Sequence, residues 1–363
     1  MRRMKIPVVL FMVISLSALV QCASQREPPP VFDEDRWREQ VDSVDPALIY
    51  APHVKDDGTF FNPWLERERR RMGGWRLRRP DSKPTYDSFP AEQYSAVPND
   101  YAYLSDPTHN SISFAGHASM IIKMDAQTIL TDPFFSNAAL IAQKKVKIKF
   151  DFSQVSQKPV VLISHNHYDH LDKYSVKQLI KKDPVFIVPL GLKKLITRWG
   201  AREVHELDWW QSVNLGPVTY TLLPAQHWSR RIGQKGGATL WGSYLIEGSK
   251  TVYFSGDSGY FRGFAEFGSR YDIDYAIVGV GAYEPRWFMH YSHMNVPEFF
   301  RTIEDLGASI GIPMHFGIIS LSEEPILYPL YEIDQFISLN TEYSRRVRPL
   351  RVGEYLIMDE DSL

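Results

Sequence analysis

Cysteine is all but missing from this 363-residue chain, where Cys22 stands alone. Without a second thiol there is no internal disulfide, so stability must come from a buried apolar core. A chain of this length with 44% hydrophobic residues can bury one as a single large domain or as two modest ones. A basic excess is missing as well. The formal charge is −2, which gives no electrostatic footprint for a phosphate backbone and excludes nucleic acid as the expected partner. The mostly apolar run from Ile6 to Val20 is shorter than the roughly 20 residues a membrane-spanning helix needs. No motif recurs at a short fixed period, which excludes solenoids and propellers. Aromatic residues, in contrast, reach 13%. Many fall in turn-like stretches among Pro, Gly and Asn, where a cleft lining, a lipid contact and ordinary core filling are all open readings.

The amino terminus is written as an export signal. Basic Met1-Arg2-Arg3-Met4-Lys5 precedes the apolar run, as an n-region precedes an h-region. Cys22 closes Leu19-Val20-Gln21-Cys22, which resembles the lipobox of bacterial lipoproteins, although Gln21 stands where a small residue is usual. The alternative is a plain signal with an incidental cysteine. Residues 1–22 are thus expected to be a signal peptide with a lipobox-like end, and the mature protein to be exported to a bacterial cell envelope. An acylated Cys22 would anchor it to a membrane surface rather than span it. Residues 23–110 read as a tether followed by an ordered extension that packs on the main domain. Arg26-Glu27-Pro28-Pro29-Pro30 opens it, and Arg67-Glu68-Arg69-Arg70-Arg71 reads as a solvated helix face.

From Ser111 the texture changes to short strands. Ser111–Ala115, Ser119–Lys123 and Thr128–Thr131 are spaced as antiparallel neighbours. Val160–Ser164, Val185–Val188, Val218–Leu223, Leu240–Ile246, Thr251–Ser255, Ala276–Val280 and Ile310–Pro313 continue the series. Helices are expected near Lys173–Lys182, over Val296–Leu306 and around Leu327–Leu339. Strands interleaved with helices imply α/β architecture, sheets covered by helices, in a domain over residues 111–363.

Directly after the apolar run Val160-Val161-Leu162-Ile163 come His165, His167, Asp169 and His170. Two histidines two apart on an extended backbone point to one side, and the next two residues reach a second point nearby. Four candidate ligands from one loop exceed what one open catalytic zinc site takes, so the number favours two metals. His227, Asp257 and His315 each follow a further apolar run. Asp172 lies beside the motif, where it would either orient an imidazole or cap the helix beginning at Lys173.

The pattern H-x-H-x-D-H, followed by His, Asp and His at later strand ends, resembles the metallo-β-lactamase superfamily from about Ser111 to the carboxy terminus. The resemblance implies a four-layer αββα sandwich and two divalent metal ions, with zinc suited to a mixed imidazole and carboxylate set and iron or manganese the alternatives. It implies that His165, His167 and His227 hold the first ion, Asp169, His170 and His315 the second, and that Asp257 bridges them, with Asp169 and Asp257 thereby catalytic. His117 and Asp132 would brace these ligands. Phe61-Asn62-Pro63-Trp64, Gly116-His117-Ala118-Ser119, Leu130-Thr131-Asp132-Pro133, Glu206-Leu207-Asp208-Trp209-Trp210, Gln226-His227-Trp228-Ser229-Arg230-Arg231 and Ala282-Tyr283-Glu284-Pro285-Arg286-Trp287-Phe288-Met289 resemble, more narrowly, the N-acyl-phosphatidylethanolamine-hydrolysing phospholipase D family. That likeness implies a metal-activated water cleaving a phosphodiester, with a phospholipid as substrate. It places His293 on the substrate side as a catalytic residue, and Arg230 and Arg231 would bind phosphate. A tryptophan usually follows the histidine at Met314-His315-Phe316-Gly317, where this chain has phenylalanine. The alternatives are a lactonase or other ester hydrolase of the same superfamily, and a non-catalytic envelope binding protein.

Overall fold

The computed structural model describes residues 32–65, 85–99, 101–105, 109–140, 142–146 and 150–358. The expected signal peptide, Cys22, the start of the tether and the Arg67–Arg71 run lie outside these residues. The described residues from Asp33 onward belong to one compact unit. Helix α1 (Glu34–Asp42) starts it, N-capped by the Asp33 side chain on the Arg36 N–H and burying Trp37 and Val41.

The main body opens with the antiparallel meander β1 (Ser111–Gly116), β2 (Ser119–Met124) and β3 (Gln127–Thr131), and the short pair β4 (Ala138–Ala139) and β5 (Ala142–Gln143) follows. The chain then alternates: β6 (Val160–Leu162), α2 (Lys173–Leu179), β7 (Val185–Pro189), α3 (Lys193–Trp199) and β8 (Glu203–Leu207). A second run begins with β9 (Ser212–Leu215), β10 (Val218–Leu223), β11 (Ser243–Glu247) and β12 (Thr251–Phe254), continuing through α4 (Gly263–Gly268), β13 (Tyr275–Gly279), α5 (Arg286–Met289), α6 (Val296–Asp305) and β14 (Ile310–Met314). Helix α7 (Tyr328–Leu339) and β15 (Tyr355–Ile357) close it.

Two mixed sheets result. The seven-stranded sheet runs β15-β1-β2-β3-β6-β7-β8 and the six-stranded one β14-β13-β12-β11-β10-β9. Each is antiparallel in one part and parallel in the other, at β3-β6-β7-β8 and at β12-β13-β14, with helices forming the crossovers that follow β6, β7, β12 and β13. Val176, Leu179 and Ile196 of α2 and α3 pack on Val161, Ile163, Phe186 and Val188 of the first sheet. Helix α6 packs on β13 and β14 of the second. The sheets are joined by the buried Tyr244 hydroxyl, which donates across to the carbonyls of Ile163 at 2.9 Å and Ile187 at 3.0 Å. The fold is the expected α/β one. The strands miss the expected ends by up to three residues, most at β11, which begins at Ser243 and not Leu240, and β4, β5, β8, β9, β15, α1, α3, α4 and α5 have sequence signals too short or too polar to have been read.

Helix α6 starts where its chemistry dictates. Asn295 and Glu298 form a reciprocal capping box, and Gly307, at φ +60°, ends the segment. The loops after β6, β10, β12, β13 and β14 gather at one edge of the two sheets, so every expected ligand lies just past the carboxyl end of a strand.

Candidate metal centre

The loop after β6 is fastened before it turns. Ile163 donates to Ile187 at 3.1 Å, Ser164 N to Asp132 Oδ1 at 2.7 Å, and the Ser164 carbonyl accepts from Gly242 at 3.0 Å. His170 and Leu171 then fold back onto the His167 carbonyl, at 3.3 and 2.9 Å, which brings Asp169 and His170 to a second point. The loop after β12 lies against it so closely that a Cβ on Gly256 would sit 2.5 Å from Ser164 Cβ. With φ at +55° as well, that position requires glycine.

Around these loops the seven expected ligands converge. His165, His167, His227 and Asp257 form one group in which one ligand atom from each lies within 4.8 Å of the others. His117, Asp169, His170 and His315 form a second, and Asp257, His293 and His315 a third. Asp257 stands between the first two. Its Oδ2 lies 3.8 Å from His165 Nε2, 3.7 Å from His227 Nε2 and 3.1 Å from His170 Nε2, while Oδ1 is 3.0 Å from His315 Nε2. His167 contributes Nδ1, 2.8 Å from His165 Nε2 and 3.2 Å from His227 Nε2.

The outward nitrogens fix the rings. His165 Nδ1 meets Ser164 Oγ at 2.8 Å, His170 Nδ1 meets Asp132 Oδ2 at 2.8 Å, and His227 Nδ1 meets the Ser292 carbonyl at 3.2 Å. Each partner leaves a lone pair on Nε2 facing the centre. Burial, reinforced by the neighbouring imidazoles, pushes His165 well below the usual histidine range. Burial also dominates at His227, against the pull of Asp257, and takes it well down. For Asp257 burial alone would raise the carboxyl, but His170 and His315 outweigh it and hold it well below the carboxylate range. His165 and His227 are thus neutral and Asp257 ionised, the states in which such groups bind cations. At His170 burial is outweighed by Asp257, Asp169 and Asp132, which hold the ring well above the usual histidine range, so a cation bound there would have to displace its second proton.

The donor set fits divalent ions on two further observations. His170 Nε2, His315 Nε2 and Asp257 Oδ1 are buried and make no well-aligned hydrogen bond, although His170 Nε2 lies 3.1 Å and His315 Nε2 3.0 Å from the Asp257 carboxylate. Two imidazole nitrogens facing each other at 2.8 Å, one of them on a ring kept neutral, need a shared cation or proton between them.

The residues expected to support the site fall out differently. His117 Nε2 is 2.8 Å from Asp169 Oδ2 and, at 1% exposure, is pushed down to about 3 by burial and by His315. Asp132 holds both Ser164 and His170. Asp172 is the helix cap: its carboxylate accepts from the backbone of Tyr174 and Ser175 and from the Ser175 hydroxyl, and no imidazole is among its partners. Arg231, expected to bind phosphate, is instead turned under the ligand loop. Its Nη1 donates to the carbonyls of Asn166 at 2.8 Å and Leu171 at 3.0 Å, and the guanidinium lies 3.8 Å above the Tyr168 ring. Arg230 is exposed. His293 stands at the mouth, its ring 5.4 Å from that of His227 and 5.3 Å from that of His315, pushed down to about 3 by burial.

Sequence reasoning assigned no role to Asn62, Trp64, Gln226 or Ser164. Asn62 Nδ2 donates to the His227 carbonyl at 3.2 Å and to the Tyr291 hydroxyl at 2.9 Å. Trp64 Nε1 donates to Gln226 Oε1 at 3.2 Å. The only available signal was their place beside or within the quoted segments, because backbone bracing carries no chemical signature of its own.

Similarity to known proteins agrees with this geometry. Residues 127–316 match the family model described as a beta-lactamase superfamily domain. An uncharacterised protein of Mycobacterium tuberculosis is 31% identical over 297 residues, covering 76% of this chain and 77% of that one. The mitochondrial N-acyl-phosphatidylethanolamine-hydrolyzing phospholipase D of Saccharomyces cerevisiae is 31% identical over 220 residues, which span 57% of this chain and 47% of the yeast protein. Among solved structures, a metallo hydrolase of the archaeon Ignicoccus hospitalis shares the fold at TM-score 0.54 and 20% identity, covering 69% of this chain and 98% of its own. The sequence match across the ligand-bearing loops, joined to the shared fold, makes the chain a metal-dependent hydrolase of the metallo-β-lactamase superfamily.

Proposed function

We propose that the chain is a dinuclear phosphodiesterase that cleaves phospholipids of the N-acyl phosphatidylethanolamine type, in the manner of a phospholipase D. The observation that carries the reading is the pair of donor groups sharing Asp257. The substrate class rests on the 31% identity to the yeast phospholipase D. His165, His167 and His227 would hold one ion, Asp169, His170 and His315 the other, and Asp257 both, with zinc suited to this set. When bound, the ions lower the pKa of a coordinated water and polarise the phosphoryl oxygens.

The protein's own groups then divide the remaining work. His293, neutral at pH 7 because burial holds it near 3, serves as a hydrogen-bond partner at the mouth and not as a cation for the phosphate. Arg230, exposed three residues past His227, is left to meet the negative charge of the substrate, since Arg231 is committed to the loop carbonyls. Water forming a new bond to phosphorus while the bond from phosphorus to the N-acylethanolamine oxygen breaks would release an N-acylethanolamine, which takes up the proton, and leave the phosphate on the diacylglycerol as a phosphatidic acid.

Elemental analysis of the purified full chain, run beside assays of an N-acyl phospholipid and a panel of lactones, tests the reading. About two ions per chain and release of the N-acylethanolamine are expected. Lactone turnover without phosphodiester cleavage would move the assignment to an ester hydrolase, and a chain that retains fewer than one ion would refute the dinuclear centre. We also propose export and anchoring through an acylated Cys22. Mass measurement of the mature amino terminus checks it, and an unmodified Cys22 would overturn the anchor.

A further inference from the structure

Helix α1 belongs to the amino-terminal extension, yet one of its side chains is tied to the rim of the metal centre. Arg286, at the start of α5, is buried at 8% exposure. Its Nε donates to Glu34 Oε1 at 2.7 Å and its Nη2 to Glu34 Oε2 at 3.2 Å, a fork closed on one carboxylate. The same Nη2 reaches Glu298 Oε1 at 2.9 Å, and Nη1 donates to the backbone carbonyl of His293 at 3.2 Å. A guanidinium is planar and rigid, so where the two carboxylates hold Nε and Nη2 dictates where Nη1 sits. The carbonyl it grips belongs to the residue at the mouth. The peptide unit just before it supplies the Ser292 carbonyl, the 3.2 Å partner of His227 Nδ1.

We propose that Glu34 and Arg286 are positioning residues: through the 292–293 backbone they set the ring of His227 and the place of His293, so the extension takes part in assembling the active site. A partner on the outer nitrogen of a ligating histidine fixes its tautomer and orientation, and losing such a partner costs metal affinity. The proposal rests on the metal-centre reading for its affinity readout alone.

Glu34 can be removed without undocking the helix. Trp37 packs edge-on against His290 at 4.5 Å and donates to Glu298 at 3.1 Å, and Asp42 pairs with Arg301 at 2.6 Å. Arg286 would keep Glu298 as its counter-charge. The Asp42–Arg301 pair docks the same helix but touches nothing in residues 286–293, which makes it the matched control.

The test uses the full chain as wild type, Glu34→Ala, Glu34→Gln and Asp42→Ala. Ring resonances of His227 and His293, assigned by single substitution, are recorded without added metal, and the rate at which a chelator strips zinc is measured on the loaded protein. Glu34→Ala is expected to move both ring resonances and to speed zinc loss from one of two sites about tenfold. Glu34→Gln, which keeps one acceptor, falls between it and wild type, and Asp42→Ala leaves both readouts within twofold of wild type. Unmoved resonances in Glu34→Ala, or equal changes in Asp42→Ala, would overturn the proposal. A wild type that takes up no zinc would count against the metal centre, while the ring resonances still decide the relay.

Discussion

Asp132 meets the outer nitrogen of His170 and not the proposed metal positions, yet replacing it with asparagine should selectively weaken one of them. The carboxylate is fully buried and acts only as an acceptor: Oδ1 from Ser164 N at 2.7 Å, Oδ2 from Ser164 Oγ at 2.5 Å and from His170 Nδ1 at 2.8 Å. His170 therefore keeps a proton on Nδ1, and when a cation takes the place of the second proton that Asp257 and Asp169 favour on this ring, the Nε2 lone pair is the one presented to it. In Asp132→Asn the amide oxygen can stay on Ser164 N only if the NH2 group stands opposite His170 Nδ1. That nitrogen must then accept, and its proton moves to Nε2, where the ligand lone pair was. The reverse orientation sets NH2 against the Ser164 N–H and leaves a buried donor unpaired, at about 1–3 kcal/mol. Loss of an outer partner of this kind costs about 10–100-fold in metal affinity, or about 1.4–2.7 kcal/mol. The Ser164 hydroxyl has two lone pairs and can accept from the new amide and from His165 together, so the other ion is affected less. Chelator competition on the loaded protein should resolve one site weakened at least tenfold beside one nearly unchanged. Two sites of wild-type affinity would refute the tautomer argument.

Other parts of the structure give independent tests. Burial raises Glu284 to about 7, so between the unfolded value of 4.5 and that point the folded state holds a proton the unfolded chain has released. Stability from this group is therefore fully present below pH 4.5 and is lost as pH rises through 7; denaturant midpoints of wild type should fall across that window relative to Glu284→Gln, and parallel curves would refute it. Arg231→Met removes two charged donors from the ligand loop and should lower kcat, while Arg230→Ala should raise KM for a phosphodiester; the opposite split would reverse the roles assigned to the two arginines. Gly256→Ala drives a Cβ to 2.5 Å from Ser164 Cβ at a left-handed position, so it should cost about 1–3 kcal/mol in thermal unfolding and reduce bound metal.

What could be read from the sequence was decided by how much of a residue's role its own chemistry reveals. Histidines and carboxylates past apolar runs announce themselves, because few other placements explain polar ligands at strand ends, and the structure brings all seven together. Short strands flanked by turn residues were legible for the same reason. Asp172 shows the limit: a carboxylate beside a ligand and before a helix satisfies two rules at once, and only the distances to Tyr174 N and Ser175 N separate them. Arg231 shows another. Two adjacent arginines look alike in sequence, but the loop carbonyls of Asn166 and Leu171 lie within reach of one of them. Strands β8 and β9 were hidden because each is a sheet edge with few or no buried side chains, β8 burying only Val204 and Leu207 and β9 none, so neither shows a continuous apolar run.

The backbone at the centre carries a further message. His117, Asp132, Ala282 and His315 all have positive φ, at 59°, 36°, 56° and 74°, where residues other than glycine are uncommon. Such positions cost about 1–3 kcal/mol each and persist only when their surroundings over-determine them. Two of the four hold each other: His315 N donates to the His117 carbonyl at 2.8 Å, and His117 N to the Phe316 carbonyl at 3.3 Å. This mutual bridge joins the turn after β1 to the loop after β14, the two sheets' contributions to the Asp169 side of the centre. The candidate ligand His315 is thus positioned by strain shared between sheets and not by its own strand alone. That is why His315 could be singled out from its place after β14 while the brace that aims it could not.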